Sequence, residues 1–99
     1  MSMTIGAARV TLYIESSFSL KDKRRVIRSL IQRAQNQFNA GIAEVEDLDD
    51  HRVATLGVVC VSNSASHADE MLAKVIAFIE RNVEEGVLGE IETELIPYG

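Results

Sequence analysis

An α+β domain, with two helices on one face of a four-stranded antiparallel sheet, follows from three features of the sequence. Four short segments carry strand patterning, and two longer ones repeat their apolar residues every three or four positions. The segments run strand, helix, strand, strand, helix, strand. The 99 residues suffice for one core and not two, so residues 1–99 are read as a single domain.

Each element has its own warrant. Ala8, Val10, Leu12 and Ile14 alternate with Arg9, Thr11, Tyr13 and Glu15, which predicts a half-buried strand over Ala8–Glu15. Ser16, Ser17 and Ser19 interrupt it, and Ser19 stands where an N-cap belongs, with Asp22 in the first turn. The helix expected from Leu20 to Gln37 carries an apolar stripe of Leu20, Ile27, Leu30, Ile31, Ala34 and Phe38. Asn39 and Gly41 supply residues that tolerate a left-handed helix stop. A short strand is expected at Ile42–Glu46, then a polar turn, Asp47-Leu48-Asp49-Asp50. Val53–Val61 is apolar on both rows, which predicts burial on both faces. Ser66 and Asp69 resemble a capping box for a second helix whose apolar residues are Ala68, Met71, Leu72, Val75, Ile76 and Ile79, ending near Asn82. Gly86 and Gly89 bracket a turn before a last strand, Glu90–Ile96. With right-handed crossovers, that order favours the ferredoxin-like βαββαβ sandwich. Arg9, Thr11, Tyr13, Glu44, Glu46 and the glutamates of the last strand then fall on the sheet face opposite the helices.

Charge is distributed unevenly. Residues 1–40 hold seven Lys or Arg against two acids, a net of +5; residues 41–99 hold three against thirteen, a net of −10. Such asymmetry is a partner signal. Lys21, Arg25, Arg28 and Gln32 line the first helix away from its apolar stripe, Arg24 and Arg33 flank them, and Lys23 falls near the stripe, where it is expected to snorkel. Lys21, Lys23, Arg24, Arg25 and Arg28 form a candidate phosphate-binding surface, with an RNA backbone as the obvious polyanion. The alternative is a solvated face that pairs with the acidic half of its own chain.

Other chemistry has little support. Asp47, Asp49, Asp50 and His51 lack the spacing of a calcium loop or a zinc site, so no metal or cofactor is expected. No Ser-His-Asp elbow, Walker loop or dinucleotide fingerprint occurs. The single Cys60 lies among valines and reads as an inert thiol in a reducing compartment. Met1–Gly6 lacks the layout of a secretory signal and no apolar run approaches a membrane span, so a cytoplasmic protein without a membrane partner is expected. On the open sheet face Tyr13 is the only aromatic expected, which disfavours a sheet-face reader of single-stranded RNA. Tyr13, Val53, Thr55, Val59 and Val61 are instead the candidate interface of a homodimer or larger homo-oligomer.

At Ser19-Leu20-Lys21-Asp22-Lys23-Arg24-Arg25 the sequence resembles the YlxP-like family of small bacterial proteins. The resemblance continues through Phe38-Asn39, Ala43-Glu44-Val45, Ala54-Thr55-Leu56-Gly57-Val58, Val61-Ser62-Asn63 and Phe78-Ile79-Glu80. It implies a ferredoxin-like fold and, through the transcription, translation-initiation and ribosome-maturation factors encoded beside family members, a ribosome or RNA role. Where the family commonly has a Trp after His-Gln-Asp-Leu, this chain reads Glu46-Asp47-Leu48-Asp49-Asp50-His51. The expectation is a non-enzymatic factor contacting structured RNA or ribosomal particles through the first helix. The competing expectation is an oligomeric regulatory or small-ligand-binding module with no nucleic-acid role.

Overall fold

A computed structural model describes residues 2–15, 17–83 and 86–99. It contains β1 (Met3–Ile14), α1 (Leu20–Gln37), β2 (Gly41–Glu46), β3 (Val53–Ser62), α2 (Ala65–Asn82) and β4 (Gly86–Tyr98). The strands form one antiparallel sheet in the order β2-β3-β1-β4, with β2 and β4 at its edges. Both helices pack on the same face, so the architecture is the ferredoxin-like sandwich. Ala8, Val10, Leu12 and Ile14 of β1 and Ala54, Leu56, Val58 and Cys60 of β3 meet Ile27, Leu30 and Ala34 of α1 and Ala68, Leu72, Val75 and Ile79 of α2. Phe38 and Phe78 close the helix pair edge to face at 5.6 Å and 79°.

Two strands are longer than their patterning predicts. β1 begins at Met3 because the small residues Gly6, Ala7 and Ala8 still pair with β3 and β4. A Cβ at Gly6 would lie 2.9 Å from Cys60 Sγ and 3.1 Å from Leu72 Cδ1, so the residue that weakens the alternation is what lets α2 settle. β4 begins at Gly86 and takes in Gly89, which lies beside a register shift across Val10 and Leu12. Tyr13 packs its ring over Gly89, where a side chain would collide with it. Pro97 near the end of β4 fits an edge strand. The length of β1 and β4 makes the molecule 49 Å long and 22 by 17 Å across.

The helix boundaries agree with the periodicity, and their caps are partly different. Ser19 Oγ accepts from Asp22 N at 3.1 Å, as expected. At the other end of α1, Phe38 is extended, and neither Asn39 nor Gly41 adopts a left-handed conformation. α2 is capped by Ser64, whose Oγ accepts from His67 N, and not by Ser66. The expected break at Ser16 lies outside the described residues.

Candidate functional site

The first helix separates its cations into two groups. Lys21, Arg24, Arg25 and Arg28 are exposed and surround, with Asp22, an open concavity of about 700 Å³. No acidic side chain among the described residues lies within 4 Å of any of these four cations. The carboxylates of Asp47, Asp49 and Asp50 stand in the β2–β3 turn, and six further acidic residues belong to α2 and β4.

Lys23 is the exception, and it is a correction to the predicted anion-binding set. Its side chain is fully buried, at 0% exposure. Nζ donates to Asp47 O at 2.7 Å and to Val53 O at 3.0 Å, and stands 2.8 Å from Glu44 Oε2. The last contact is an ion pair without hydrogen-bond alignment. Two carbonyls and one carboxylate surround a fully buried ammonium, so Lys23 is not accessible to a phosphate. Its role is to tie α1 to both ends of the β2–β3 connection. Asp47 sits there at φ 61°, and its Oδ2 accepts from Thr55 Oγ1 at 2.6 Å. The signal was in the spacing: Lys23, Ile27, Leu30 and Ala34 form one helical stripe, all buried.

One exposed aromatic, Phe18, immediately precedes the N-cap of this helix. Phe18 is 85% exposed, and its backbone N–H donates to Oδ2 of Asp22, a residue of the concavity lining, at 3.2 Å. Sequence reasoning passed over it because it falls between strand and helix, where apolar periodicity says nothing. Its exposure is the larger because it precedes the N-cap and so belongs to no buried stripe.

The open sheet face is organised by Arg9. Its Nη1 lies 2.7 Å from Glu46 Oε1, while Nε and Nη2 donate to Glu92 Oε1 and Oε2 at 3.1 and 3.2 Å. The Glu92 and Glu46 carboxylates hold the guanidinium pKa above its ordinary value. Shallow depressions of about 370 and 390 Å³ flank this ion-paired group. Glu44, expected on this face, follows Ile42 onto the helix side, opposite the core residue Leu56, and reaches Lys23; the register shift between Glu44 and Glu46 adds a residue to β2 and returns Glu46 to the open face beside Arg9.

The predicted interface residues do not form one surface. Val59 and Val61 are exposed at 48% and 57%, but Thr55 is buried and Val53 half-buried. Gly57, opposite Arg9, separates Val53 and Thr55 from Val59 and Val61. Tyr13 lies with the first pair, since it opposes Val53. The expected burial of β3 on both faces holds only where Thr55 is covered.

Ser62 Oγ and His67 Nδ1 are 3.0 Å apart. The same Oγ accepts from Ser64 N at 3.1 Å, and no carboxylate orients the His67 ring among the described residues. This arrangement closes the β3–α2 turn and lacks the third member of a hydrolytic triad. Burial pushes the Cys60 thiol pKa up, which disfavours the thiolate. Among the described residues, no group of three or more His, Cys, Asp or Glu is placed to hold a metal ion, and no helix is long and apolar enough to cross a membrane.

A family described as "Protein of unknown function (DUF503)" matches residues 5–92. The chain belongs to this DUF503 family. It is 36% identical over 76 residues to "Uncharacterized protein YlxP" of Bacillus subtilis strain 168, which covers 77% of this chain and 83% of that protein. This DUF503 chain also resembles the de novo designed protein Foldit4, at a TM-score of 0.52 and 11% identity over 94% of each chain. The designed protein LFR1 1, described as having a ferredoxin fold, matches at a TM-score of 0.49 and 13% identity over 95% of this chain and 83% of its own.

Proposed function

We propose that this chain is a non-enzymatic cytoplasmic factor that contacts structured RNA, free or in a ribosomal particle, through the outer face of α1. The observation that carries this reading is the set Lys21, Arg24, Arg25 and Arg28, four exposed cations around one concavity with no acidic partner within 4 Å among the described residues. Phosphates would take the place of the missing carboxylates, and Arg guanidinium forks suit that geometry. The exposed ring of Phe18, just before the N-cap of the same helix, would offer a stacking surface to an unpaired base, so a duplex with a bulge or loop fits better than a plain one.

The acidic remainder of the chain does not defeat this reading. Glu90, Glu92 and Glu46 belong to the open sheet face, whereas the four cations point away from the sheet on the far side of α1. A helix about 10 Å across stands between the two sets. At physiological salt that separation exceeds the screening length of about 8 Å.

The test is binding to a bulged RNA hairpin across a range of salt concentrations. Four phosphate contacts predict a slope of about −3 in log affinity against log salt. Changing Lys21, Arg24, Arg25 and Arg28 to Ala should flatten the slope, while Phe18→Ala should weaken the hairpin more than a blunt duplex and leave the slope unchanged. Binding that survives the fourfold change in a folded protein would exclude the helix face. The oligomeric module without nucleic acid is the second reading, and the apolar half of the sheet face speaks for it.

A further inference from the structure

Register divides the open sheet face into unlike halves. Level with Arg9 stands Glu92, and on one side of them lie Thr11, Tyr13, Thr55, Glu46 and Glu90. On the other, Val61 opposes Ile5, Ile5 opposes Ile96, Val59 opposes Ala7 and Met3 opposes Tyr98. These seven residues form a continuous apolar patch across β3, β1 and β4. Its large side chains are 36% to 64% exposed at Met3, Val59, Val61, Ile96 and Tyr98. Among the described residues its one charged neighbour is Glu94, opposite Ala7 at the boundary with the Arg9 half.

We propose that this patch is the contact between two copies of the chain, stacked sheet face on sheet face about a two-fold axis. The occupant is a second copy because an uncharged apolar surface complements itself, and an isologous contact requires only that. The alternatives fit worse. The patch offers no exposed charge at its centre to select a foreign basic or acidic partner, and no buried donor to orient a small ligand. Pairing of β4 with β4 along their free edges would crowd Glu90, Glu92 and Glu94 against their own copies. In the stacked arrangement the two apolar halves overlap and the Arg9 halves overhang into water on opposite sides, so no ion pair is buried.

The area sets the strength. The exposed part of the patch is on the order of 400 Å², the size of the largest patch an ordinary monomer exposes, and such patches are often functional. That is about half of the roughly 800 Å² per partner of a standard interface, which predicts a weak, transient dimer. α1 stays on the outer surface of each copy, so this proposal neither requires nor excludes RNA contact.

Sedimentation equilibrium of the full chain from about 1 to about 100 micromolar decides it. The expected result is a monomer–dimer equilibrium whose dissociation constant rises at least about 30-fold in Val59→Lys/Val61→Lys. Glu90→Lys, on the polar half, should sediment like the parent. Circular dichroism shows whether the variants remain folded, which their exposure in the monomer predicts. A parent that is monomeric throughout overturns the proposal. So does a dimer unchanged by Val59→Lys/Val61→Lys, and one abolished by Ile91→Lys instead would assign the contact to the helix side of β4.

Discussion

Replacing Lys23 by Met keeps most of the side-chain volume and removes the ammonium. Glu44, whose side chain is only 15% exposed, then loses its counter-ion, and Asp47 O and Val53 O lose a donor. Removing one member of a buried pair costs about 3–5 kcal/mol, and the residual hydration of Glu44 places this case near 3. For a chain of this size that lowers Tm by about 12–24 °C. Urea denaturation followed by circular dichroism measures it. Lys23→Met/Glu44→Leu removes both charges and should recover part of the loss, because the uncompensated carboxylate is gone while the carbonyls remain unpaired. Below its Tm, Lys23→Met should bind RNA as the parent does, unlike the fourfold helix variant. A loss under about 1 kcal/mol, or a double variant less stable than Lys23→Met, would refute the assignment of Lys23 as the tie between α1 and the β2–β3 turn.

Gly6→Ala should cost about 1–3 kcal/mol by overpacking against Cys60 Sγ and Leu72, and adding Cys60→Ala should return part of it; denaturation midpoints of the single and double variants check this. The raised Cys60 pKa means that the folded state holds its proton longer than the unfolded chain does. Its contribution is complete below the ordinary value of 9.0 and is lost as pH rises through that value towards the folded-state pKa, so parent stability should fall more steeply there than that of Cys60→Ala. The same burial predicts that a thiol reagent labels the native protein at mildly alkaline pH only as fast as it opens.

The order of elements and both helices were legible because their patterning is local. The stripe of Ile27, Leu30 and Ala34 and the alternation from Ala8 to Ile14 each identify an element without reference to the rest of the chain. What escaped depends on contacts distant in sequence. Glu44-Val45-Glu46 reads as regular alternation with both glutamates on one face, and only pairing with β3 shows Glu44 opposite Leu56 on the core side and the extra residue that returns Glu46 to the open face. The apolar patch joins Met3, Val61 and Ile96 through register, which no single segment records. Lys23 is a different case. Its place on the buried stripe was visible, but a charge there reads as snorkelling unless its acceptors, Asp47 O and Val53 O, are known.

The central claim is that the exposed cations of α1 hold RNA. Capture of the chain from cells, with and without ribonuclease, compares the parent with the variant in which Lys21, Arg24, Arg25 and Arg28 are Ala. The account predicts that RNA or ribosomal particles accompany the parent, that ribonuclease releases them, and that the variant captures little of either. Parent protein free of RNA, or a variant that retains as much RNA as the parent, would contradict it.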